Sequence, residues 1–461
     1  MRESWKQGRT KVLLISQDVV GAKMAGPGIR YWELSQVLAA HCQVTLAAPV
    51  TEPLPRVPWR VHPLSFQKSA ELDPLLAEAD VVVSSGFMLY HYPQLEEMRT
   101  PWVVDMYIPF PTEGLAHYAS HPMEGQLSAH RANSEMFWRF MTRGDFFLCA
   151  SERQRDLYLG MLAALGRLNP WTFSQDPSLR RLIDVVPFGL PQEPPVHRKA
   201  VLKGVQKGIG REDKVILWGG GIWDWLDPLT LIRAVELLRD REDLRLYFLG
   251  RQHPFSSQVP EMAMYKRAKA LSDALGLTGR WVFFGEWVPY EERANYLLEA
   301  DVGVSLHSAG VEARFAFRTR VLDYIWAGLP MVLSEGDELA QFAQEHGLGI
   351  VVPPQDTNAV AEALLTLLEE GREARRARFS EAARIFSWKR VARPLVAFCS
   401  SPQPAVDRQK GYSVLFTEAA REGLTLQRAR ERVAELEELV QAYERGRFIR
   451  LMAWLKRVLG K

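Results

Sequence analysis

Short apolar, β-branched runs alternate with longer helical patterns along most of this chain, and they do so in two separate blocks. The first block holds "KVLLIS" (11–16), "QVTLAAP" (43–49), "DVVVSSG" (80–86), "PWVVDMY" (101–107), "FFLCAS" (146–151) and "LIDVVPFG" (182–189), with patterns such as "IRYWELSQVLAAH" (29–41) between them. Runs that are apolar throughout suit strands covered on both faces, and helical intervals supply the crossovers that parallel strands require. "LPQEPPVHRKAVLKGVQKGIGREDK" (190–214) then interrupts with Pro, Lys and Gly and reads as a linker. The second block follows with "VILWGGG" (215–221), "LRLYFLG" (244–250), "WVFFGEW" (281–287), "DVGVSLHS" (301–308), "PMVLSEG" (330–336) and "GIVVPP" (349–354). The pattern predicts an α/β chain of two tandem Rossmann-like doubly wound domains, at 1–189 and 215–378. A helix over 379–400 is expected to cross back to the first domain.

The last stretch differs. Leu426, Ala429, Val433, Leu436, Val440 and Tyr443 recur near a seven-residue spacing, which predicts a C-terminal helical tail over 413–461 and a coiled-coil contact that would make an oligomer. At its end Arg445, Arg447, Arg450, Lys456, Arg457 and Lys461 stand beside apolar positions. Two readings stay open there: a helix lying on an anionic membrane, or one packed on protein with a solvated basic face.

Composition narrows the classes. A length of 461 residues exceeds one ordinary core, and a net charge of +2 gives no reason to expect nucleic acid as a partner. Cys42, Cys149 and Cys399 are scattered, without metal-ligand or disulfide spacing, which fits a reducing cytoplasm. The N-terminal apolar run meets charge within a few residues and reads as a strand, not a signal peptide, and no run is long enough to span a bilayer. Membrane contact is therefore expected to be peripheral.

In doubly wound folds, ligands sit outside the carboxyl ends of the strands, so residues that follow strands are the candidates. Gly26 and Gly28 flank Pro27 ahead of a helix expected near Ile29; open helix amides there suit an anion, and a bare turn is the equal alternative. Gly220 and Gly221, in "WGGG", permit close backbone approach to a ligand, and Trp287 closes a later strand. Asp227 before Pro228 reads as a helix N-cap. "VEARFAFRTRVLDYIWAGLP" (311–330) crowds Glu312, Arg314, Arg318, Arg320 and Asp323 against an apolar helix face. A carboxylate suits ribose hydroxyls and guanidinium forks suit a diphosphate, while a self-satisfied Arg–Asp network is the structural alternative. His307 ends a strand and either lines the site or packs.

On these residues the chain resembles the GT-B glycosyltransferases, in particular the large retaining family usually called family 4. The likeness runs from about residue 10 to 400 and is strongest in "VFFGEWVPYEERANYLLEADVGVSLHSAGVEARFAFRTRVLDYIWAGLPMVLSEGDELAQF" (282–342). "CASERQRDLYLGMLAALGRLNP" and "IDVVPFGLP" resemble a subgroup associated with bacterial cell-surface polysaccharides. The resemblance implies a retaining, metal-independent, hexosyltransferase-like enzyme, with a nucleotide-sugar as co-substrate, no further cofactor, and a glycan or lipid-linked acceptor at the inner face of the membrane. It places Asp323 against the donor ribose, Glu312 on the transferred sugar and Gly26 to Gly28 near the donor phosphates. The family's Arg after the first donor-domain strand and Lys before its helix read here as Gly221 and about Asp227, and Arg318 and Arg320 are expected to supply that charge. Where the family often has a His facing the sugar, Asp105 stands, with Tyr107 beside it. Glu312, Asp105 and Arg320 are thus the expected catalytic set. The competing expectation is a non-catalytic GT-B-like nucleotide-binding or assembly module.

Overall fold

The computed structural model describes residues 8–119, 121–250 and 262–412, with a few helical positions between 429 and 437. Its first sheet contains β1 (Lys11–Ile15), β2 (Gln43–Ala48), β3 (Arg60–Pro63), β4 (Val81–Ser85), β5 (Trp102–Asp105), β6 (Phe146–Cys149) and β7 (Ile183–Val185) in the order β3-β2-β1-β4-β5-β6-β7. The second contains β8 (Lys214–Trp218), β9 (Leu244–Phe248), β10 (Val282–Phe284), β11 (Val302–Ser305), β12 (Met331–Ser334) and β13 (Gly349–Val352) in the order β10-β9-β8-β11-β12-β13. Each neighbouring pair is parallel. Both sheets reverse their winding beside their first strand, at β1/β4 and at β8/β11, and it is at such switch points that loops part to leave a crevice.

The helices used below are α1 (Gly26–Ala39), α2 (Phe110–Tyr118), α3 (Met123–Arg143), α4 (Glu152–Ala164), α5 (Pro228–Leu237), α6 (Val311–Phe315), α7 (Thr319–Ala327), α8 (Arg376–Ile385), α9 (Trp388–Val391), α10 (Arg393–Ser400) and α11 (Val406–Gln409). Strands buried on both faces explain their unbroken apolar runs: Val81, Val82 and Val83 of β4 are all fully buried. One apolar cluster covers the outer face of each sheet. A third is continuous from α1 and β1 through Trp388 and Cys399 to α7, so the two domains share a core layer.

Two expectations need correction. The crossing segment expected as one helix over 379–400 is the three helices α8, α9 and α10, because Ser387 and Pro394 break the run. It does cross: Leu190 N–H donates to the Phe386 carbonyl (2.7 Å), Trp388 N–H donates to the Leu190 carbonyl (3.1 Å), and Phe398 stacks on Phe146 at 4.8 Å. The stretch 190–214 is no loose linker, since Leu202 and Ile209 are buried and the Glu299 carboxylate accepts from the amides of Val201, Leu202 and Lys203. The closing residues return to the first domain, where Arg167 pairs with Asp407 at 2.6 Å and Asp145 accepts from Arg408 and from the Ala405 amide. The expected coiled coil and basic end lie largely outside the described residues. Among those described, no helix is long and apolar enough to cross a membrane.

Candidate active site at the second switch point

The loops after β8 and β11 meet where the second sheet reverses. Gly219 and Gly303 leave room for the ring of Tyr324: a Cβ at Gly303 would lie 2.8 Å from it and one at Gly219 3.0 Å. The Tyr324 hydroxyl accepts from the Gly219 amide (2.8 Å) and donates to the Val304 carbonyl (2.8 Å), which pins α7 under the glycine loop. Gly220 has φ +103, a conformation only glycine adopts without strain, and nothing lies within contact of its absent Cβ. Asp227 caps α5 as expected, accepting from the Thr230 amide (3.1 Å) and hydroxyl (2.6 Å).

Helix α7 starts at Thr319 and buries Val321, Leu322, Tyr324 and Ile325. It carries no side-chain cap; the Val321 amide donates to the Arg318 carbonyl (2.9 Å), which leaves the amides of Thr319 and Arg320 open to an acceptor. Arg320 turns back over the Trp218 ring (4.8 Å) and donates from Nη2 to the Gly221 carbonyl (2.8 Å), while its buried Nη1 has no partner. Burial pushes this guanidinium down to about 10; nearby Tyr324 opposes the shift and Arg318 adds to it. Arg318 is held instead by Glu312, at 2.6 Å, with its Nε unpaired.

These orphaned donors are not scattered. Of the eight buried side-chain polar atoms that lack a hydrogen bond among the described residues, two are Arg318 Nε and Arg320 Nη1, on neighbouring guanidinium groups that repel each other. Buried polar groups are normally paired, so two unpaired ones next to uncapped helix amides mark a place that an acceptor-rich ligand would complete.

The first domain closes over this site. Fully buried Gln154, at the start of α4, donates to the carbonyls of Tyr107 (3.0 Å) and Phe315 (2.7 Å) and so ties the domains together. Arg153 reaches the Gly336 carbonyl (2.8 Å). Helix α2 packs on α6 and brings Glu113 beside Glu312 and Arg318. Burial, and after it the Glu312 carboxylate, raise Glu113 to about 7, with Arg318 opposing. Sequence reading passed over Glu113 and Gln154. Both follow first-domain strands, in "PFPTEG" after β5 and "CASERQ" after β6, but only the closure of the domains reveals their neighbours.

Other expected site residues stand elsewhere. Asp105 is not offered to the cleft: both of its oxygens bind Arg30, at 2.7 and 2.9 Å, and the pair is sealed in the first domain. It is a strut rather than a catalytic group. Asp323 does not pair with Arg320 but with Arg293 (3.1 Å), which is itself held between Tyr290 and Trp326. Its carboxylate keeps 37% exposure, at the edge where Tyr290 reaches Glu33 of α1 (3.1 Å). His307 is fully buried, with Nδ1 3.1 Å from the Ser308 carbonyl and Nε2 3.3 Å from Asp337, so it backs the site and does not line its surface. Gly26 and Gly28 lie inside the first turn of α1, three residues earlier than the expected start. Gly28 serves close packing, since a Cβ there would meet the Val19 carbonyl at 2.3 Å. Trp287 is half-buried against Gly250. Among the described residues no group of three or more His, Cys, Asp or Glu is placed to hold a metal ion.

Residues 213–370, which contain the second-domain part of this site, match the family model described as Glycosyl transferases group 1. No curated protein sequence matches the chain. Solved structures share the fold at low identity. WaaG, a glycosyltransferase involved in lipopolysaccharide biosynthesis, superposes with a TM-score of 0.59 at 15% identity, over 85% of this chain and 100% of that one. Sucrose-phosphate synthase from Thermosynechococcus elongatus gives 0.58 at 17% identity, over 85% and 98%. HepE of Anabaena, solved in complex with UDP-glucose, gives 0.58 at 13% identity, over 84% and 98%. The two parallel-sheet domains are those of the GT-B arrangement.

Proposed function

We propose that this chain is a retaining, metal-independent glycosyltransferase of the family 4 type, which moves a hexosyl group from a nucleotide-sugar to a lipid-linked or cell-surface glycan acceptor. The observation that carries the reading is the pair of unpaired guanidinium nitrogens, Arg318 Nε and Arg320 Nη1, on the segment that matches the group 1 family. Arg320 Nη1, the open amides of α7 and the backbone of Gly220 and Gly221 would receive the donor diphosphate, and the exposed oxygen of Asp323 the ribose. Glu312, oriented by Arg318, would hold the hydroxyls of the transferred sugar, and Glu113 would face the acceptor. In the reaction the bond from the anomeric carbon to the diphosphate breaks and the acceptor oxygen bonds to that carbon from the same face. The acceptor proton leaves to the departing phosphate oxygen. Donors already aimed at the leaving group supply much of the acceleration, because they need no reorganisation as charge develops.

A second reading, a nucleotide-binding module without turnover, is favoured by one observation. Asp227, near the place of the family's lysine, has its carboxylate fixed as a helix cap, and Gly221 offers no charge. Incubating the full chain with UDP-, GDP-, dTDP- and CDP-sugars separates the two. Release of nucleoside diphosphate, slowed by Glu312→Gln, supports transfer; binding without release supports the module; no thermal shift with any of the four rejects both. We also place the protein in the cytoplasm, at the inner face of a membrane, through the basic tail. Flotation with anionic vesicles, with and without residues 444–461, tests that placement.

A further inference from the structure

The first domain holds a cavity of about 390 Å³ that the donor site does not use. It lies between α2, α3 and α4, walled by Phe87, Leu115, Phe137, Met161 and Leu165, and no Asp, Glu, Lys or Arg lines it. Its volume is in the range of small-molecule pockets, roughly 300–1,000 Å³. The pocket is not a defect of packing deep in the core: Leu115 and Trp138, at its mouth, are 56% and 55% exposed. Neighbouring Met123 and Leu127 on α3 are 65% and 49% exposed, so the apolar surface continues outward from the opening.

Its position gives it meaning. Gly114 and Leu115 of α2 line the cavity, and the residue before them, Glu113, faces Glu312 and Arg318 across the domain cleft. One helix therefore separates a mostly apolar pocket from Glu113, the group proposed to face the acceptor. A helix with its side chains is about 10–12 Å across, a distance that needs a headgroup of more than one unit, such as a diphosphate carrying a sugar. Tyr118, Gln126, His130, Asn133 and Ser134 add hydrogen-bonding groups to a wall that is otherwise aromatic and aliphatic, and against that apolar part a saturated chain would gain by leaving water.

We infer that this cavity takes the alkyl chain of a lipid acceptor, whose polar head then reaches round α2 to the cleft at Glu113. The inference rests on the transfer reading above for the identity of the occupant as acceptor, but its binding test does not depend on turnover. Butyl, hexyl and octyl β-D-glucosides, below their micelle concentrations, serve as probes in calorimetric titrations of the full chain. Affinity is expected to rise by up to about fourfold per added methylene as the chain fills the cavity. Ser134→Trp, from α3, and Ala164→Trp, from α4, each fill the cavity and should abolish that dependence while leaving the thermal shift with nucleotide intact. An octyl glucoside with a diazirine at the chain end should crosslink wild-type protein within α3 or α4, which keeps the test open if both variants fail to fold.

Octyl glucoside binding no tighter than butyl, dependence on chain length that survives in a folded filled variant, or crosslinks confined to other surfaces would each overturn the inference. Failure of the nucleotide arm in wild-type protein, with chain-length dependence intact, would reject the donor reading and the acceptor role while retaining a lipid site.

Discussion

Two charge clusters in this molecule use the same residue types to opposite ends. In the first domain every nitrogen of Arg30 is engaged: Nε and Nη2 on Asp105, Nη1 on the Pro187 carbonyl, and Nη2 also on the Val186 carbonyl. In the second domain Arg320 is half-buried, with its Nη1 fully enclosed, yet makes one hydrogen bond, and Arg318 keeps an unpaired Nε. Removing charges from water is costly, and the first cluster offsets that cost within the protein while the second leaves part of it outstanding. Completeness of hydrogen bonding therefore separates a strut from a site, where residue type and position after a strand do not.

The sharpest way to break the contrast is to unpair the strut. Asp105→Ala strands the Arg30 charge in the core and is expected to cost about 3–5 kcal/mol of unfolding free energy in urea. The double variant Arg30→Met/Asp105→Leu should recover much of it. A single variant with unchanged stability would mean that the pair is dispensable and the distinction drawn from it is empty.

Arg320→Ala should do the reverse. Loss of one charge-assisted contact corresponds to roughly 1.5–3 kcal/mol, or about tenfold to more than a hundredfold in nucleotide affinity. Stability should hold or rise, because a desolvated cation with an orphaned Nη1 is removed. Arg211→Ala, in the connecting stretch, is the control expected to leave affinity unchanged.

Glu113 sharpens the comparison through pH. Its folded carboxyl sits at about 7, chiefly from burial and then from Glu312, against the ordinary 4.5. Between those values the folded state holds more protons than the unfolded one, so this group makes stability fall as pH rises from about 4.5 to 7. Glu113→Gln should flatten that part of the profile relative to wild type in denaturation series across pH. Parallel profiles would show that Glu113 titrates as it does in the unfolded chain. The smallest effect is expected from Asp227→Ala, which removes a helix cap and should cost about 1 kcal/mol while nucleotide binding persists. An equal loss of binding would put Asp227 in the site.

The fold was legible because burial on both faces writes itself into unbroken apolar runs. Strands β1, β2, β4 to β7 and β9 to β13 fall within the stretches read from "KVLLIS" to "GIVVPP", and β8 begins one residue before its stretch, at Lys214. The miss was β3 (Arg60–Pro63), a short edge strand with polar side chains and little periodic signal. The apolar face of α7 and the Asp227 cap followed from local rules. Partners across space did not. Nothing local in "VVDMY" tells that Asp105 meets Arg30, 75 positions away, and nothing in "VLDY" tells that Asp323 turns to Arg293. Glu113 was illegible for the same reason, since its environment exists only once α2 lies on α6.

The most direct test is a crystal of the full chain soaked with a nucleoside diphosphate. The diphosphate is predicted to lie within hydrogen-bond distance of Arg320 Nη1 and of the backbone at Gly220, Gly221 or the first turn of α7, with Asp323 turned toward the ribose. A nucleotide seated away from the β8/β11 switch point, with Arg320 Nη1 still unpaired, would contradict the account.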